Sequence, residues 1–289
     1  MSVFIASLGF ALVSSAVLAV AGVGFTLQFG VTDVMNLAYG AVLILGAYVT
    51  YVLSQHGVNV WLGLVAAGVV GAVISVAINS YILTPFLKRK TSHIGMVIVT
   101  LAVGLVIANV LLAFAGPNGV ALNADQGATL RWGDIDLTVL QVEIIGLSIV
   151  LMIGIALMLT YTRLGKAMRA TAANPTLARN CGVRTSRVIT LTWLISGGLC
   201  GVAGAVFAMN VGAFTPASAG TFLVVVLAAS IVGGVGRPYG AMAGALLIGF
   251  STEITAAILA PEYKYVVAFA LLFIAMATRP QGLFVRSSA

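Results

Sequence analysis

The chain has 289 residues, of which 61% are hydrophobic and only 7% are charged, with 14 basic and 7 acidic side chains. Soluble domains usually carry a charge on about a quarter of their residues. With so few charges a soluble surface cannot form, so the composition excludes a soluble enzyme, a disordered chain and a collagen-like chain. The apolar runs are continuous rather than alternating, which predicts an integral membrane protein of helices and not of barrel strands.

Nine apolar runs are candidates for helices that cross the bilayer, which requires about 20 residues each. The first run is too long for the apolar region of a signal peptide and follows no basic residue, so we interpret it as a retained helix. The seventh is short and ends in a glycine string, which also fits a half-helix or a re-entrant segment. The predicted spans are 4–27, 35–53, 60–86, 93–115, 139–161, 188–210, 220–234, 239–259 and 264–278.

Most basic residues fall on one side of this nine-helix arrangement. Lysine and arginine are retained in cytoplasmic loops, so their placement reports orientation. With the N-terminus outside and the C-terminus inside, twelve of the 14 bases are cytoplasmic and only Arg131 and Lys264 are outside. We therefore interpret the net charge of +7 as an orientation signal in a cytoplasmic (inner) membrane, in contact with lipid and not with nucleic acid. The twelve are Lys88, Arg89, Lys90, Arg163, Lys166, Arg169, Arg179, Arg184, Arg187, Arg237, Arg279 and Arg286.

A short internal similarity links the first and sixth predicted helices. Val20-Ala21-Gly22, Phe25 and Gly30 recur 182 positions later as Val202-Ala203-Gly204, Phe207 and Gly212. The two helices run in opposite directions, so the match favours an inverted repeat, with chance similarity in a glycine-rich chain as the alternative. We predict an all-α fold with one transmembrane domain over residues 1–289, repeat halves 1–115 and 188–278, and a cytoplasmic loop 162–187.

The sequence contains no recognisable catalytic or metal-binding constellation. His56 and His93 are the only histidines and lie near opposite membrane faces, which disfavours a metal site or a catalytic triad. Gly165-Lys166 lacks the glycines of a phosphate-binding loop. Cys181 and Cys200 are expected to be reduced thiols. We predict a protein that is not an enzyme and has no cofactor or metal of its own.

The cytoplasmic loop 162–187 contains start and stop signals for a very short helix. Asn174 can cap a helix whose first residue is Pro175, and Gly182 can supply the left-handed residue that ends it. Such a helix is only about 10 Å long. Small residues such as Ala173 and Ala178 would let another protein approach closely, so we predict a docking helix. The alternative is an ordinary positively charged loop.

Five segments of the chain, in order, resemble the permease subunits of the Liv-type (branched-chain amino acid) ABC importers. One segment departs from the usual pattern, because Asn36-Leu37-Ala38-Tyr39-Gly40 has Tyr39 where the family often has histidine. The segments are Phe29 to Gly40 with Gly46-Ala47-Tyr48, Arg169 to Val183, Ser196 to Gly204, Gly233 to Gly236 with Gly240-Ala241, and Arg279 to Phe284.

The resemblance implies a set of partners and a transport function. In this family two permease chains pair, two cytoplasmic ATPase subunits use ATP and Mg, and an extracytoplasmic solute-binding protein delivers the solute. The resemblance implies a second, homologous but non-identical permease and import of branched-chain or related amino acids by alternating access. It also implies that the short helix couples to the ATPases, through Arg169, Ala173, Asn174, Pro175, Ala178, Gly182 and Val183.

Polar residues at membrane depth are candidates for the translocation path or gate. Between the first two apolar runs, a helix break can bind the charged ends of an amino acid. For Asp33 and Asn36 the alternative is a cytoplasmic turn with an Asx cap. Glu253, near the middle of the eighth helix, either lines a path or gate, pairs at an interface, or makes an interior hydrogen bond. The candidates are Gln28, Thr32, Asp33, Asn36, Tyr39 and Glu253.

Three other functions remain compatible with the sequence. Members of the same family that import urea or short amides have a similar sequence. A self-sufficient secondary transporter would carry a proton on Glu253 or Asp33, but it would not need the short capped helix. A membrane scaffold that transports nothing would bury its polar residues without a connected path.

Overall fold

The computed structural model describes residues 2–122, 124, 126–132, 135–260, 263–279 and 282. Several residues used above lie outside this description, namely Arg286 and, in the tail, Pro280, Gln281, Leu283 and Phe284. The side chain of Arg131 lies outside it as well.

The described residues are almost entirely helical. A π-helical segment, Ile78–Leu83, joins α3 to α4, so the chain stays helical from Val60 to Lys88. The helices are α1 (Ser2–Thr32), α2 (Tyr39–Gln55), α3 (Val60–Ala77), α4 (Thr84–Lys88), α5 (His93–Ala115), α6 (Val139–Tyr161), α7 (Arg163–Ala173), α8 (Pro175–Asn180), α9 (Thr185–Asn210), α10 (Ser218–Gly233), α11 (Pro238–Ile258) and α12 (Lys264–Thr278).

Within the described residues, six helices are long and apolar enough to cross a membrane, and α2, α10 and α12 are shorter apolar helices. The six long spans are Leu8–Thr32, Val60–Lys88, His93–Ala115, Val139–Tyr161, Thr185–Asn210 and Pro238–Ile258. Each lies on a predicted span. The first helix is longer than predicted, because Gln28 to Thr32 continue α1 instead of forming part of a break.

Two short strands form a hairpin between α5 and α6, in the segment that joins two of the predicted spans. β1 (Thr129–Trp132) pairs antiparallel with β2 (Ile135–Thr138). Thr138 then caps α6 in a reciprocal capping box with Gln141, so the hairpin leads directly into the helix. Upstream of the hairpin, Val120 pairs with Phe214, which follows α9. The C-terminal ends of α5 and α9 therefore share one face of the protein.

Most of the buried core residues lie on α1, α2, α9 and α10, while α3 crosses α9 and α11 crosses α1 at backbone contact distance. On α9 a side chain at Gly201 would clash with the carbonyl oxygen of Ala67 on α3. On α11 a side chain at Gly249 would meet Ser15 of α1. Small residues at helix crossings in membranes allow this close approach, which replaces the hydrophobic driving force by close packing. Trp193 is fully buried in this core.

Candidate functional site

The short helix α8 forms as the sequence predicts. The side chain of Asn174 accepts a hydrogen bond from the Leu177 backbone nitrogen at 2.9 Å, and Pro175 is the first residue of the helix. Gly182 has φ +85° just beyond the helix end, a conformation that favours glycine. The cap at Asn174 and the glycine at position 182 therefore delimit a separate surface helix of about one and a half turns.

Two features of this region differ from the prediction. The residues before α8 form a second helix, α7, capped by Thr162, where a loop was expected. Ala178 is only 5% exposed and faces the chain itself, so it cannot receive another protein. The other residues of α8 are exposed, and among them Leu177 is a large apolar side chain that is 59% exposed. Ala173 is exposed, as predicted.

The cluster around α8 is basic and anchored to α6. Arg169 of α7 donates a hydrogen bond to the Leu159 carbonyl oxygen near the end of α6. Val183 donates its backbone hydrogen to the Ala178 carbonyl at 3.0 Å, which returns the chain toward α9. Leu177 and Arg179 are both exposed on this short helix, which suits a partner surface that offers an apolar pocket and acidic residues.

The break between α1 and α2 is shorter than predicted and covers residues 33–38. Asp33 ends α1 with φ 52° and its side chain is exposed. Asn36 is 2% exposed and its Oδ1 accepts from the Ala38 backbone nitrogen at 3.1 Å, which is an Asx turn. Asn36 thus adopts the geometry of the turn alternative, while Thr32 donates to the Gln28 carbonyl at 2.7 Å inside α1.

Gln28 and Tyr39 are buried where α1, α2 and α9 meet. Gln28 is 1% exposed, and its Oε1 accepts from the Ser196 hydroxyl at 3.2 Å. The Tyr39 hydroxyl donates to the Ala21 carbonyl at 2.9 Å, and the Cys200 thiol donates to the Tyr39 carbonyl at 3.2 Å. These contacts hold the helices together in the present conformation.

Glu253 is paired with a residue that the sequence analysis did not connect to it. Both of its carboxylate oxygens lie 2.8 Å from Nζ of Lys264, the first residue of α12. The Ser14 hydroxyl of α1 donates to Glu253 Oε1 at 2.7 Å. Glu253 lies five residues before the end of α11 rather than at its middle, so Lys264 reaches it from the next helix.

The ion pair forms part of the wall of a cavity of about 140 Å³. The cavity opens near the C-terminal ends of α9 and α11 and the N-terminal ends of α10 and α12. A second cavity, of about 400 Å³, lies between the C-terminal ends of α1 and α6 and the N-terminal end of α11. Arg169 and Arg237 are part of its wall. Within the described residues no three His, Cys, Asp or Glu side chains come close enough together to hold a metal ion.

Comparison with known proteins places most of the chain in one family. The family profile described as "Branched-chain amino acid transport system / permease component" matches residues 7–276. A solved chain of PsaBC from Streptococcus pneumoniae, in complex with Fab, superposes with a TM-score of 0.53 at 13% identity. That alignment covers 93% of this chain and 91% of the other, and it shows a shared fold.

Curated relatives match over nearly the full length. The branched-chain amino acid permease LivH of Escherichia coli is 28% identical, with 93% of this chain and 91% of LivH covered. A probable LivH of Methanocaldococcus jannaschii is 30% identical, with coverages of 94% and 90%. LivM of Escherichia coli is 26% identical over 91% of this chain and 66% of LivM. The chain is a multi-pass membrane protein that belongs to the branched-chain amino acid transport permease family.

Proposed function

We propose that this chain is the permease subunit of an ATP-driven importer that moves branched-chain or related amino acids across the cytoplasmic membrane by alternating access. The observation that carries the proposal is the family match over residues 7–276, supported by LivH relatives that are similar over more than 90% of this chain. The chain itself contributes the path and the coupling surface, while ATP and Mg bind to ATPase subunits.

The coupling surface in this proposal is α8 and its flanks. A separately capped helix on the surface transmits force as a rigid unit, because Asn174 and Gly182 fix its two ends. Leu177 is exposed on it, and the exposed Arg179, Arg184 and Arg187 supply positive charge in and after the helix. The ATPase groove that receives it therefore has an apolar floor and acidic edges. Arg169 ties α7 to the end of α6, Ala173 and Pro175 flank the junction of α7 and α8, and Val183 bonds back to Ala178 of α8.

The partners follow from the same family. Escherichia coli has two different relatives of this chain, LivH and LivM, each called a permease of a high-affinity branched-chain amino acid system. We therefore assign this chain a second, homologous and non-identical permease partner. Two cytoplasmic ATPases and an extracytoplasmic solute-binding protein complete the importer.

The proposed membrane topology has nine crossings with the N-terminus outside. The cavities support this number of crossings. Helix ends that the topology places on the same membrane face line the same cavity. The cavity with Arg169 and Arg237 joins the C-terminal ends of α1 and α6 to the N-terminal end of α11. The cavity with Glu253 joins the C-terminal ends of α9 and α11 to the N-terminal ends of α10 and α12. The basic residues make the first of these faces cytoplasmic.

An inverted repeat of residues 1–115 and 188–278 within one domain is the proposed internal organisation. The offset of 182 relates Gly22 to Gly204, and these two glycines approach Ser230 of α10 and Leu43 of α2 respectively. The same offset relates Ser15 to Gly197. Ser15 contacts Gly249 of α11, and Gly197 contacts Ser75 of α3. Residues on α1 and α9 that the offset relates thus contact helices that the repeat also relates, α10 with α2 and α11 with α3. An inverted repeat requires this correspondence.

The proposed path connects the two faces along polar residues. Glu253 lies in the wall of the cavity of about 140 Å³, which faces the outside in this topology and is called the outer cavity. Thr32 and Asp33 lie at the cytoplasmic end of α1. Gln28, Asn36 and Tyr39 are buried in this conformation, so their part in the path requires movement of α1 against α2 and α9. The Gln28 Nε2, which has no hydrogen-bond partner among the described residues, is the atom that this movement would expose.

The coupling assignment is tested in the reconstituted importer with its binding protein. Replacing Asn174, Pro175 and Gly182 together should leave the chain folded but abolish ATP-driven leucine uptake, because the helix loses both of its ends. The matched control is Thr190→Ala on α9, outside this surface, where the hydroxyl bonds only to its own helix. ATP-driven uptake at the wild-type rate in the triple variant would refute the coupling role. A binding protein that prefers urea to leucine would move the substrate assignment.

A further inference from the structure

The outer cavity combines one positive charge, one negative charge and an apolar wall. The Lys264 ammonium and Glu253 carboxylate face each other at 2.8 Å, with their side chains 33% and 15% exposed. Ser14 fixes one carboxylate oxygen. The remaining wall is mostly aliphatic and aromatic, formed by Val17, Leu18, Phe207, Phe222 and Val225.

The size of the cavity limits what it can hold. Pockets for drug-sized ligands begin at about 300 Å³, and this one measures about 140 Å³. It is therefore suited to a molecule the size of one amino acid. Asn210 and Thr252 add polar atoms to the lining, so the cavity also offers hydrogen bonds at its edge.

Resting on the proposed function, we infer that this cavity is the first docking site of the cargo on the permease and that it selects zwitterions. Lys264 receives the α-carboxylate, Glu253 receives the α-ammonium, and the branched side chain lies against Phe207 and Phe222. The ion pair within the protein opens and is replaced by two ion pairs with the solute.

The charge balance explains why a zwitterion is favoured. A partly buried charge that loses its partner is costly, whereas an exchanged partner keeps it compensated. A zwitterion brings one charge of each sign, so both Glu253 and Lys264 stay paired. An amine or a carboxylic acid alone leaves one of them unpaired, and an uncharged amide leaves the protein pair closed.

The proposal is tested by direct binding to the purified complex of permeases and ATPases, without the solute-binding protein. The probe is radiolabelled leucine, and the competitors are unlabelled leucine, isoamylamine, 4-methylvalerate and isovaleramide. Leucine should compete at least about tenfold better than each of the other three, since a tenfold difference corresponds to about 1.4 kcal/mol. Equal competition by isovaleramide, or no specific leucine binding to the wild type, would overturn the proposal.

Variants separate binding from a purely structural role. Glu253→Gln and Lys264→Gln should each weaken leucine binding at least about tenfold, and the exposed Glu143→Gln serves as the matched control. The double exchange Glu253→Lys with Lys264→Glu restores an ion pair and hence the fold, but it inverts the charges relative to the apolar wall. Leucine binding should stay weak in this double variant. If the double variant or a folded single variant bound leucine as the wild type does, the ion pair would have only a structural role. The proposed binding site would then be rejected.

The two proposals fail in different ways. If the wild-type importer with its binding protein takes up no amino acid, the proposed function is wrong. If it takes up leucine while the cavity variants bind leucine normally, only the docking site is wrong.

Discussion

The hydroxyl oxygen of Thr100 on α5 accepts a hydrogen bond from the backbone nitrogen of Leu37 at 3.2 Å, although 63 positions separate the two residues. The same hydroxyl donates toward the Met35 carbonyl at 3.1 Å or the Val97 carbonyl at 2.9 Å. One side chain of α5 thus satisfies the backbone of the break between α1 and α2, where no helix or sheet partner is available.

Replacing Thr100 by valine should loosen this break. Valine keeps the shape but leaves the Leu37 nitrogen without its acceptor, which costs about 1–3 kcal/mol for a buried group. We expect faster hydrogen exchange in peptides that cover residues 33–38 and a lower thermal midpoint. Thr190→Val, at a half-buried position of α9, is the control because its hydroxyl bonds only to its own helix. Unchanged exchange in the Thr100 variant would contradict this role.

Two glycines on α9 should respond differently to alanine. A Cβ at Gly201 would overlap the Ala67 carbonyl of α3, whereas a Cβ at Gly198 meets nothing closer than 3.7 Å. Gly201→Ala should therefore destabilise the protein by about 1–3 kcal/mol, the usual cost of overpacking. Gly198→Ala should be neutral or slightly stabilising, because alanine favours a helix. Thermal unfolding followed by size-exclusion chromatography compares the two, and equal midpoints would show that α3 and α9 do not approach so closely.

Gly24 and Tyr39 should show coupled effects. A Cβ at Gly24 would overlap the Tyr39 hydroxyl, which is also the group that bonds to the Ala21 carbonyl. Gly24→Ala should lower stability more in the wild type than in a Tyr39→Phe background, where the hydroxyl is absent. The expected coupling is on the order of 1 kcal/mol, within the usual range for residues in contact. A double-mutant cycle of unfolding midpoints measures it, and strict additivity would argue against the contact.

The native cysteines should report the proposed orientation. Cys181 is exposed next to α8, and Cys200 is fully buried in α9. A membrane-impermeant maleimide should label Cys181 in inverted vesicles and not in right-side-out vesicles. Cys181→Ser should remove the labelling, which identifies the reactive thiol. Labelling from the outer side would reverse the proposed topology.

The parts of the fold that depend on local signals were predictable. Apolar length located the spans, and the cap, proline and glycine at Asn174, Pro175 and Gly182 located α8. The end of α1 was less predictable, because Gln28 and Thr32 are polar yet remain helical. Their polar groups bond to Ser196 and to the helix backbone, and that partner on α9 is 168 positions away from Gln28.

The candidate site was harder to predict because its contacts are long-range. Glu253 was recognised as unusual, but its bonds to Lys264 and Ser14 depend on how α11 packs against α12 and α1. Glu253 and Lys264 are 11 positions apart on two different helices, so no helical spacing links them. The small side chain of Ala178 suggested a surface that a partner could approach. In the structure Ala178 is buried, and the backbone bond from Val183 to its carbonyl shows that the chain folds back at this point.

The length of α12 has a consequence for the surrounding lipid. At 1.5 Å per residue its 15 residues span about 22 Å, between Lys264 at one end and Arg279 beyond the other. The hydrocarbon core of a bilayer is about 30 Å thick. Most of the side chains of α12 are exposed. On this flank the protein therefore requires a locally thinned bilayer or a neighbouring protein, and the charged ends of α12 fix the depth at which it sits.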